Sequence, residues 1–361
     1  MCRPSDQLQE VPIRALTVLP GTAGSLTVEE VEDPQPSSDE LVVDGLAVGV
    51  CGTDKEIAAG GYGETPPGRR RLVLGHESLG RVRQAPDGSG FAAGDLVVGV
   101  VRRPDPAPCG ACAHGAFDMC RNGQYTERGI KQLDGYASQT WTVTPDFAVR
   151  LPTALSDAGV LVEPTSVVAK AWEEIERIGG RSWFQPERVL VTGAGPIGLL
   201  AAMLGRSRGL EVHVLDEVRD GPKPGLVEDL GATYHCDGFD EALAGGRPDI
   251  VIEATGVAPL VVAAMAGTAA YGIVCLTGVS TPGCSVPLDA GALNRSIVLG
   301  NDVVFGSVNA NLRHYELAVH ALAAADAGWL GRLVSRRVPL DSFTEAFDAR
   351  DDDVKVVLDL Q

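Results

Sequence analysis

A glycine-rich turn between two apolar strands constrains the fold of this chain more than any other feature. In RVLVTGAGPIGLLAAMLGRSRGLEVHVLDE, residues 188–217, an apolar strand ends at Thr192 and the pattern Gly-x-Gly-x-x-Gly follows at 193–198. A helix of small apolar residues comes next, and a second strand ends at Asp216. The first glycine permits the tight turn, the second lets backbone amides approach a pyrophosphate, and the third allows close packing of helix on strand. This order of elements predicts a dinucleotide site within a parallel α/β sheet.

The candidate cofactor-binding residues follow from this motif and from two later strand ends. Asp216 stands 23 residues after Gly193, where a carboxylate accepts both ribose hydroxyls and repels a 2′-phosphate, which favours NAD. Arg219 argues against a strict preference for NAD because it can pair with a phosphate, so NADP remains an alternative. VIEATG (251–256) and LTGVS (276–280) end in glycine turns, the positions where a doubly wound sheet presents its ligand crevice. The predicted cofactor-binding residues are Gly193, Gly195, Pro196, Ile197, Gly198, Asp216, Arg219, Thr255 and Gly278.

The pattern of apolar residues divides the chain into two domains. From about residue 13 to 149 the apolar runs are short and often alternate with polar residues, which indicates antiparallel strands in a barrel-like β domain. From about Thr165 strands and helices alternate, which predicts a parallel sheet with helices on both faces. After about Gly306 a helical run and short strand-like pieces can return to the first domain. We therefore predict a β-rich catalytic domain at 1–164, continued by 306–361, and a dinucleotide-binding domain at 165–305.

Charge and cysteine usage limit the classes of partner. The 48 acidic and 30 basic residues give a formal net charge of -18, so the summed field repels phosphate backbones and anionic membranes. No segment approaches the roughly 20 uninterrupted apolar residues of a membrane span, and the N-terminus lacks the apolar core of a signal peptide. Eight cysteines, only three of them grouped, indicate reduced thiols with a metal cluster rather than a disulfide framework. We expect a cytoplasmic protein with a small-molecule substrate and without nucleic-acid or membrane partners.

A second set of polar residues lies in the first domain. LVLGHESLGRV, residues 72–82, places His76 beside Glu77 in an apolar run, and burial of an ionised carboxylate requires a partner or a metal. GVCGTDKEI presents Cys51 on a glycine-flanked turn, and VLVEPTS carries Glu163 at the end of the domain. A thiolate, an imidazole and carboxylates suit zinc, and a catalytic zinc needs three protein ligands with one open position. For each residue alone, an inert core residue remains the alternative.

With CGTD, GHE and GAGPIG in this order, the chain resembles the zinc-dependent medium-chain dehydrogenase/reductase superfamily over essentially its whole length. CGTDKEI, GQYTERGIKQLDGYAS, LVEPTSVVAKAWE and GSVNAN are most similar to the glucose 1-dehydrogenases. The resemblance implies a GroES-like catalytic domain, a Rossmann doubly wound domain and an active site in the cleft between them. It also implies hydride transfer from C1 of an aldose, most simply D-glucose, to NAD(P), with a lactone as product. A homodimer or homotetramer is the implied assembly.

The resemblance assigns roles to individual residues. Cys51 and His76 match zinc ligands, and Glu77 and Glu163 match carboxylates that bind the zinc directly or through water. Thr53 matches a hydroxyl that relays a proton from the substrate alcohol. The implied catalytic residues are Thr53, Glu77 and Glu163, the implied zinc ligands are Cys51, His76, Glu77 and Glu163, and the implied sugar-binding residues are Glu127 and Asn309. A capping carboxylate and a turn asparagine are the alternatives for the last two.

The segment PCGACAHGAFDMC, residues 108–120, departs from the structural zinc lobe of the family. That lobe usually has four cysteines spaced Cys-x2-Cys-x2-Cys-x7-Cys, whereas this chain has Gly115 at the third position and a shortened last interval. Imidazole is an acceptable zinc ligand, so the candidate ligands of a structural zinc are Cys109, Cys112, His114 and Cys120. An empty lobe is the alternative.

Two other functions stay open on the sequence. The same zinc and NAD(P) chemistry could act on another polyol, an aminocyclitol or a secondary alcohol, because the residues that contact hydroxyl groups are the least specific of the set. A non-catalytic dinucleotide-binding protein is the third candidate. The intact set of Cys51, Thr53, His76, Glu77 and Glu163 argues against it.

Overall fold

The computed structural model describes residues 12–361 and divides them into two compact units. The opening 11 residues of the predicted first domain lie outside the described residues. The first unit comprises the described residues up to Val160 with Arg336–Asp348 and Val356–Gln361, and the second comprises Leu161–Ser335 with Ala349–Lys355.

Short strands dominate the first unit, whereas strands and helices alternate in the second. The described strands are β1 (Ile13–Val18), β2 (Thr27–Val31), β3 (Leu41–Val50), β4 (Leu72–Val73), β5 (Glu77–Gln84), β6 (Leu96–Gly99), β7 (Arg102–Arg103), β8 (Thr126–Arg128), β9 (Gln132–Leu133), β10 (Thr140–Val143), β11 (Ala148–Leu151), β12 (Arg188–Thr192), β13 (Glu211–Leu215), β14 (Thr233–His235), β15 (Ile250–Glu253), β16 (Ile273–Leu276), β17 (Val303–Gly306), β18 (Val334–Pro339) and β19 (Lys355–Asp359). The described α-helices are α1 (Gly52–Ala58), α2 (Gly110–Ala113), α3 (Val162–Gly179), α4 (Pro196–Ser207), α5 (Pro222–Asp229), α6 (Phe239–Ala242), α7 (Ala258–Ala266), α8 (Ala290–Gly300), α9 (Leu312–Ala324), α10 (Ala327–Leu333) and α11 (Thr344–Phe347). Short 3-10 turns lie at Phe117–Met119, Pro145–Phe147, Thr153–Leu155, Gly159–Leu161 and Leu340–Ser342.

The first unit is organised around the long strand β3. Its main sheet has the order β11-β6-β5-β3-β19-β18, with β10 also paired to β3, and smaller sheets have the orders β2-β1-β4 and β7-β8-β9. Most of β3 is buried because apolar residues lie on both of its faces. β3 ends at Val50 and the antiparallel β5 begins at Glu77, so the residues just beyond these strand ends meet at one place. The predicted β-rich domain is confirmed.

The second unit is a six-stranded parallel sheet. Its order is β14-β13-β12-β15-β16-β17, which is the doubly wound arrangement in which the chain reverses direction beside the first strand, β12. Apolar residues of the central strands and of the covering helices form its core, as in the cluster of Leu190, Leu215, Val251, Ala264 and Val274. The parallel α/β sheet predicted from the glycine motif is therefore confirmed.

The segment 306–335, which we predicted to continue the first domain, belongs to the second unit. Its helix α9 packs against α3, and its apolar residues Tyr315, Ala318 and Leu322 are buried. The Trp329 indole on α10 donates a hydrogen bond to the Leu226 carbonyl at 2.8 Å. The chain returns to the first unit only at Arg336, because the apolar face of α9 finds its partner on α3.

The helices are amphipathic or short. α3 is 18 residues long and carries Glu173, Glu174 and Arg177 on its surface beside a buried apolar face. Among the helices of residues 12–361, none combines the length and the apolar character that a membrane crossing requires.

Candidate active site

Three of the predicted zinc ligands meet at the ends of β3 and β5. The ligand atoms of Cys51, His76 and Glu77 lie within 4.8 Å of one another, and His76 Nε2 is 3.1 Å from Cys51 Sγ. Both His76 and Glu77 are buried. Glu77 pairs across the strands with Gly49, and a Cβ on Gly49 would lie 1.9 Å from Glu77 Oε2. Only glycine at this position therefore leaves room for the carboxylate.

A helix cap fixes the cysteine. Cys51 precedes α1 in extended conformation, and its Sγ accepts a hydrogen bond from the Thr53 N–H at 3.3 Å. In return, the Cys51 N–H donates to Asp54 Oδ2 at 3.0 Å, which completes a capping box. The sequence CGTD thus holds the sulfur at the helix N-terminus and brings Thr53 into the first turn beside it.

Asp54 is a functional residue that the sequence analysis missed. Its Oδ1 lies 3.4 Å from His76 Nδ1, and both side chains are buried. Histidines that bind a metal usually pair their other ring nitrogen with a carboxylate, which fixes the tautomer and directs the free nitrogen at the metal. An acid three residues after the cysteine, at a capping position, was the available signal.

The electrostatics of this group of side chains favour a bound cation. Burial lowers the pKa of His76, but Cys51 and Asp54 beside it stabilise the imidazolium and raise its pKa well above the usual range. A metal ion bound to this ring would displace the proton that these neighbours stabilise. A thiolate, an imidazole nitrogen and a carboxylate form a donor set that fits zinc.

Three cysteines of the lobe at 109–120 also converge. The sulfur atoms of Cys109, Cys112 and Cys120 lie within 4.8 Å of one another, with 3.7 Å between the first two. The Arg121 N–H donates to Cys109 Sγ at 3.4 Å, and chiefly this bond lowers the pKa of Cys109 to about 6. The cysteines thus offer three sulfur donors, of which one ionises readily.

The fourth predicted ligand of the lobe, His114, is not in this group. It ends α2, is exposed, and its Nδ1 lies 2.7 Å from the Gly110 carbonyl oxygen. The Gly110 carbonyl thus contacts one of the two ring nitrogens of His114. A role for His114 in zinc binding stays a prediction.

Glu127, a predicted sugar contact, forms a buried ion pair. Its Oε1 accepts from Arg102 Nε at 3.0 Å and from Arg102 Nη2 at 2.9 Å, because β7 and β8 align the two residues across the strands. Arg102 also donates to the Asp118 carbonyl at 2.8 Å. Arg102 was missed in the sequence because its partner lies 25 residues away. The sugar-binding role of Glu127 remains a prediction.

The glycine loop of the second unit has the geometry that a pyrophosphate requires. Gly193 has φ +93, and a Cβ on Gly198 would lie 1.7 Å from the Gly193 carbonyl oxygen. At Gly195, the N-cap of α4, a Cβ would meet no atom of the described residues within 4 Å. Pro196 and Ile197 then open the helix, whose first amides lack intrahelical acceptors. The loop therefore leaves space and hydrogen-bond donors for an anion at the helix N-terminus.

The carboxylate of Asp216 is bound to this loop. Its Oδ2 accepts from the Ala194 N–H at 2.6 Å and lies 3.4 Å from Lys223 Nζ at the start of α5. Arg219, the candidate for pairing with a 2′-phosphate, instead pairs with Asp237 at 2.6 Å. Lys223 is a third residue, after Asp54 and Arg102, that the sequence analysis missed. An acid and a cation thus stand together where the ribose of a dinucleotide is expected.

Glu253 joins the other two predicted cofactor loops. It is buried at the end of β15, and its Oε1 accepts from the Thr255 N–H at 2.8 Å, the Gly256 N–H at 3.1 Å and the Thr192 hydroxyl at 3.2 Å. A Cβ on Gly278 would lie 2.8 Å from Glu253 Oε2. These contacts explain why both loops follow the strands so closely, and they identify Glu253 as a positioning residue that we did not predict.

Asn309 and Glu163, assigned by resemblance to substrate and zinc, both lie in the second unit. Asn309 has φ +62, and its Oδ1 accepts from the Ala310 N–H at 2.7 Å. The buried Lys170 donates to the neighbouring Val308 carbonyl at 2.9 Å. Glu163 lies in the first turn of α3. Their contacts with substrate and zinc stay predictions.

Comparison with known proteins gives matches along nearly the whole chain. A family described as glucose dehydrogenase C-terminus matches residues 156–360, and one described as alcohol dehydrogenase GroES-like domain matches residues 37–153. Glucose 1-dehydrogenase from Methanocella arvoryzae is 39% identical over 96% of this chain and 99% of the relative. Glucose 1-dehydrogenase from Thermoproteus tenax is 41% identical over 97% of this chain and 100% of the relative. The solved glucose dehydrogenase from Haloferax mediterranei, in complex with NADP, Zn and gluconolactone, has a TM-score of 0.89 at 33% identity and covers 96% of this chain and 99% of its own.

Replacement of Asp54 tests its role behind His76. Asp54→Asn keeps an acceptor for the Cys51 N–H but loses the charge that faces His76. We expect zinc affinity to fall about 10- to 100-fold, the usual effect of losing such a carboxylate. Competition with a chromophoric chelator measures this affinity. Asp146→Asn, at an exposed turn, is the matched control, and equal affinities in both variants would remove Asp54 from the site.

Proposed function

Because the chain belongs to the glucose dehydrogenase family of zinc-dependent medium-chain dehydrogenases, we propose that it oxidises an aldose at C1 to the lactone and transfers the hydride to NAD or NADP. D-Glucose is the simplest substrate, since glucose 1-dehydrogenases match the chain over its length and the Haloferax structure contains gluconolactone. The observation that carries the proposal is the convergence of Cys51, His76 and Glu77 within 4.8 Å, in a chain that also has a complete glycine loop for a dinucleotide.

We propose Cys51, His76 and Glu77 of the first unit as zinc ligands, with Glu163, which belongs to the second unit, as a further carboxylate. Cys51 and His76 would hold the ion directly, and Glu77 and Glu163 are the carboxylates that would complete its ligands. When bound, zinc acts as a Lewis acid that stabilises negative charge on the substrate oxygen and lowers the pKa of the hydroxyl. Asp54 keeps His76 in the tautomer that presents Nε2.

Thr53 would move the proton. Its backbone N–H is bonded to Cys51 Sγ at 3.3 Å, which keeps Thr53 in the first turn of α1, two residues from the metal ligand. A hydroxyl both donates and accepts a hydrogen bond. Thr53 can therefore accept the proton that leaves the substrate oxygen while it passes its own toward solvent.

The second unit would bind and orient the cofactor. The amides at the start of α4 would hold the pyrophosphate, and Asp216 would accept the ribose hydroxyls. The nicotinamide ring, when bound, accepts the hydride at C4. The protein's contribution to this step is orientation, because hydride transfer requires the nicotinamide carbon and the sugar carbon in a reactive geometry.

Sugar recognition would rest on Glu127 and Asn309. Arg102 holds the carboxylate of Glu127 in one orientation, and a buried, oriented acceptor discriminates between hydroxyl epimers, since only one epimer places its hydroxyl within hydrogen-bond reach. The backbone of Asn309 is left-handed, and its Oδ1 accepts from the Ala310 N–H, so the amide is held in one orientation. Both features support recognition of a polyhydroxylated substrate.

We also propose self-association of the second unit. β17 is an edge strand of the parallel sheet, and α8 has no buried residue among its described positions. Val279, Val298 and Leu299 are large apolar side chains that are exposed in this region. Exposed apolar residues near an unpaired sheet edge favour pairing with a second copy, which supports a homodimer or a homotetramer built from such dimers.

The cytoplasm remains the proposed compartment. The cysteines of residues 12–361 are free thiols, and the three in the lobe at 109–120 are arranged to bind metal. Thiols persist in a reducing environment, whereas an oxidising compartment favours disulfides.

A spectrophotometric assay tests the reaction. Purified, metal-analysed protein should reduce NAD or NADP at 340 nm with D-glucose, and a panel of aldoses, cyclitols and acyclic polyols ranks the substrates. Cys51→Ser should lower kcat/KM at least about a thousandfold, because several kcal/mol of charge stabilisation are lost, while NADH binding persists. If aldoses give no product and a cyclitol does, the substrate proposal is wrong and the chemistry stands. If NADH binding also fails in Cys51→Ser, the division of labour is wrong.

Cofactor choice should depend on Asp216 and Lys223. Asp216→Ala should weaken NAD about tenfold and NADP less, because a hydrogen bond to a charged group contributes roughly 1.5–3 kcal/mol. Lys223→Ala removes the cation 3.4 Å from Asp216 and should weaken NADP more than NAD. Fluorescence titrations with NADH and NADPH measure both affinities. Glu228→Ala, exposed on the same helix as Lys223, is the control, and parallel losses for both cofactors would contradict the assignment.

The proposed dimer face can be tested with two matched leucines. Leu299 and Leu317 are both exposed, 66% and 42% respectively, but only Leu299 lies on α8. Leu299→Glu should shift the protein toward the monomer by sedimentation velocity, whereas Leu317→Glu on α9 should leave the assembly unchanged. An unchanged assembly in Leu299→Glu would exclude this face.

A further inference from the structure

Two histidines that the proposed reaction does not use face each other at the edge of the parallel sheet. His213 lies on β13 and His235 ends the neighbouring edge strand β14. His213 Nδ1 is 2.8 Å from His235 Nε2, and the ring planes are 26° apart. Each ring is about nine-tenths buried, with side-chain exposures of 9% and 10%. Two nitrogens are thus held in direct contact away from bulk water.

The outer nitrogen of each ring contacts a carboxylate. His213 Nε2 lies 3.0 Å from Glu211 Oε1, and His235 Nδ1 lies 2.7 Å from Glu241 Oε2. An ionised carboxylate only accepts hydrogen bonds, so each outer nitrogen must carry the hydrogen. In two neutral rings, the inner nitrogens then both present lone pairs. Two lone pairs at 2.8 Å repel, and the contact requires a cation between them.

A proton and a metal ion are the two cations that fit between the inner nitrogens, and the surroundings of His213 bear on which one binds. Burial lowers the pKa of His213, and repulsion from His235 and Arg188 lowers it further, while the hydrogen bond to Glu211 acts in the opposite direction. Arg188 donates to both oxygens of Glu211 at 3.0 Å, which takes up much of that carboxylate's charge. The surroundings of His213 therefore favour the neutral ring, and a neutral ring nitrogen is a metal ligand.

We propose that His213 Nδ1 and His235 Nε2 bind one transition-metal ion that prefers imidazole, such as Zn²⁺, with water as its remaining ligands. Both rings have the carboxylate on the outer nitrogen that is typical of metal-binding histidines, and imidazole suits zinc and nickel. Zinc–nitrogen bonds of about 2.0–2.1 Å require the two nitrogens somewhat farther apart, and a small rotation of His235 on the edge strand can provide this.

The ion would fasten the edge strand. β14 has only three residues, and the His235 carbonyl accepts from the Asp216 N–H at 3.1 Å. A metal bridge between β13 and β14 would thus stabilise the strand end that carries Asp216. The proposal does not depend on the sugar or on the catalytic zinc, since none of the four side chains belongs to those sites.

Zinc stoichiometry tests the site. Full-length protein is saturated with ZnCl2, passed through a desalting column and analysed by plasma mass spectrometry. Wild type should retain one more zinc per chain than His213→Gln and than His235→Gln. His320→Gln, an exposed histidine on α9, should match wild type. Added zinc should also raise the Tm of wild type and of His320→Gln more than that of the other two variants. Equal stoichiometry in all four proteins would overturn the proposal.

Diffraction from wild type gives a test that does not depend on the folding of variants. Crystals grown with ZnCl2 should show an anomalous difference peak at the zinc edge between the His213 and His235 rings. Peaks at Cys51 and His76 or at the cysteine lobe serve as internal positive controls. If those sites show zinc and the position between the two rings does not, the contact holds a proton and the metal site does not exist.

Discussion

The burial of Glu77 beside His76 is the constraint on which the arrangement of the first unit depends. A carboxylate and an imidazole in the interior of a β-rich unit are stable only with compensating partners. The chain places Cys51 Sγ and the Asp54 carboxylate against His76, and the ligand atoms of Cys51, His76 and Glu77 lie within 4.8 Å of one another. A bound cation would stabilise this group, and its donor types suit zinc. Gly49 belongs to the same arrangement because a side chain at this position would collide with the Glu77 carboxylate.

The second unit contains a buried carboxylate that is compensated differently. The Glu253 carboxylate accepts hydrogen bonds from the Thr255 and Gly256 N–H groups of one glycine-bearing loop and from two threonine hydroxyls, those of Thr192 and Thr255. Its charge is distributed over donors that the chain supplies, so it requires no ion. The two carboxylates therefore suit different functions: Glu77 would offer a ligand to a metal, whereas Glu253 holds the loop that follows β15. Burial alone does not distinguish these two carboxylates, whereas the groups around each of them do.

Contacts between residues that are close in the sequence were predictable, and contacts between distant residues were not. The glycine loop and its parallel sheet were predictable because strand, turn and helix are contiguous, and the convergence of Cys51, His76 and Glu77 was predictable because CGTD and GHE are compact motifs. Asp54 could have been found in the same way. Arg102 and Lys223 could not, since their partners are fixed by strand register and by the packing of a helix start on a strand end. The placement of 306–335 was missed for a related reason, because an amphipathic helix does not reveal which apolar face it will cover.

The same distinction separates the chemistry of this chain from its specificity. Hydride transfer and zinc binding rest on groups that local motifs hold, so the class of reaction can be inferred from short segments. The proposed determinants of sugar and cofactor choice lie in long-range pairs, Arg102 with Glu127 across β7 and β8 and Lys223 with Asp216. In each pair, the residue proposed to contact the ligand is held by a partner that was not predicted. A relative could keep every catalytic motif and change its substrate by altering only the second member of such a pair, because an unheld carboxylate in a buried site rotates, takes up a proton or moves to solvent.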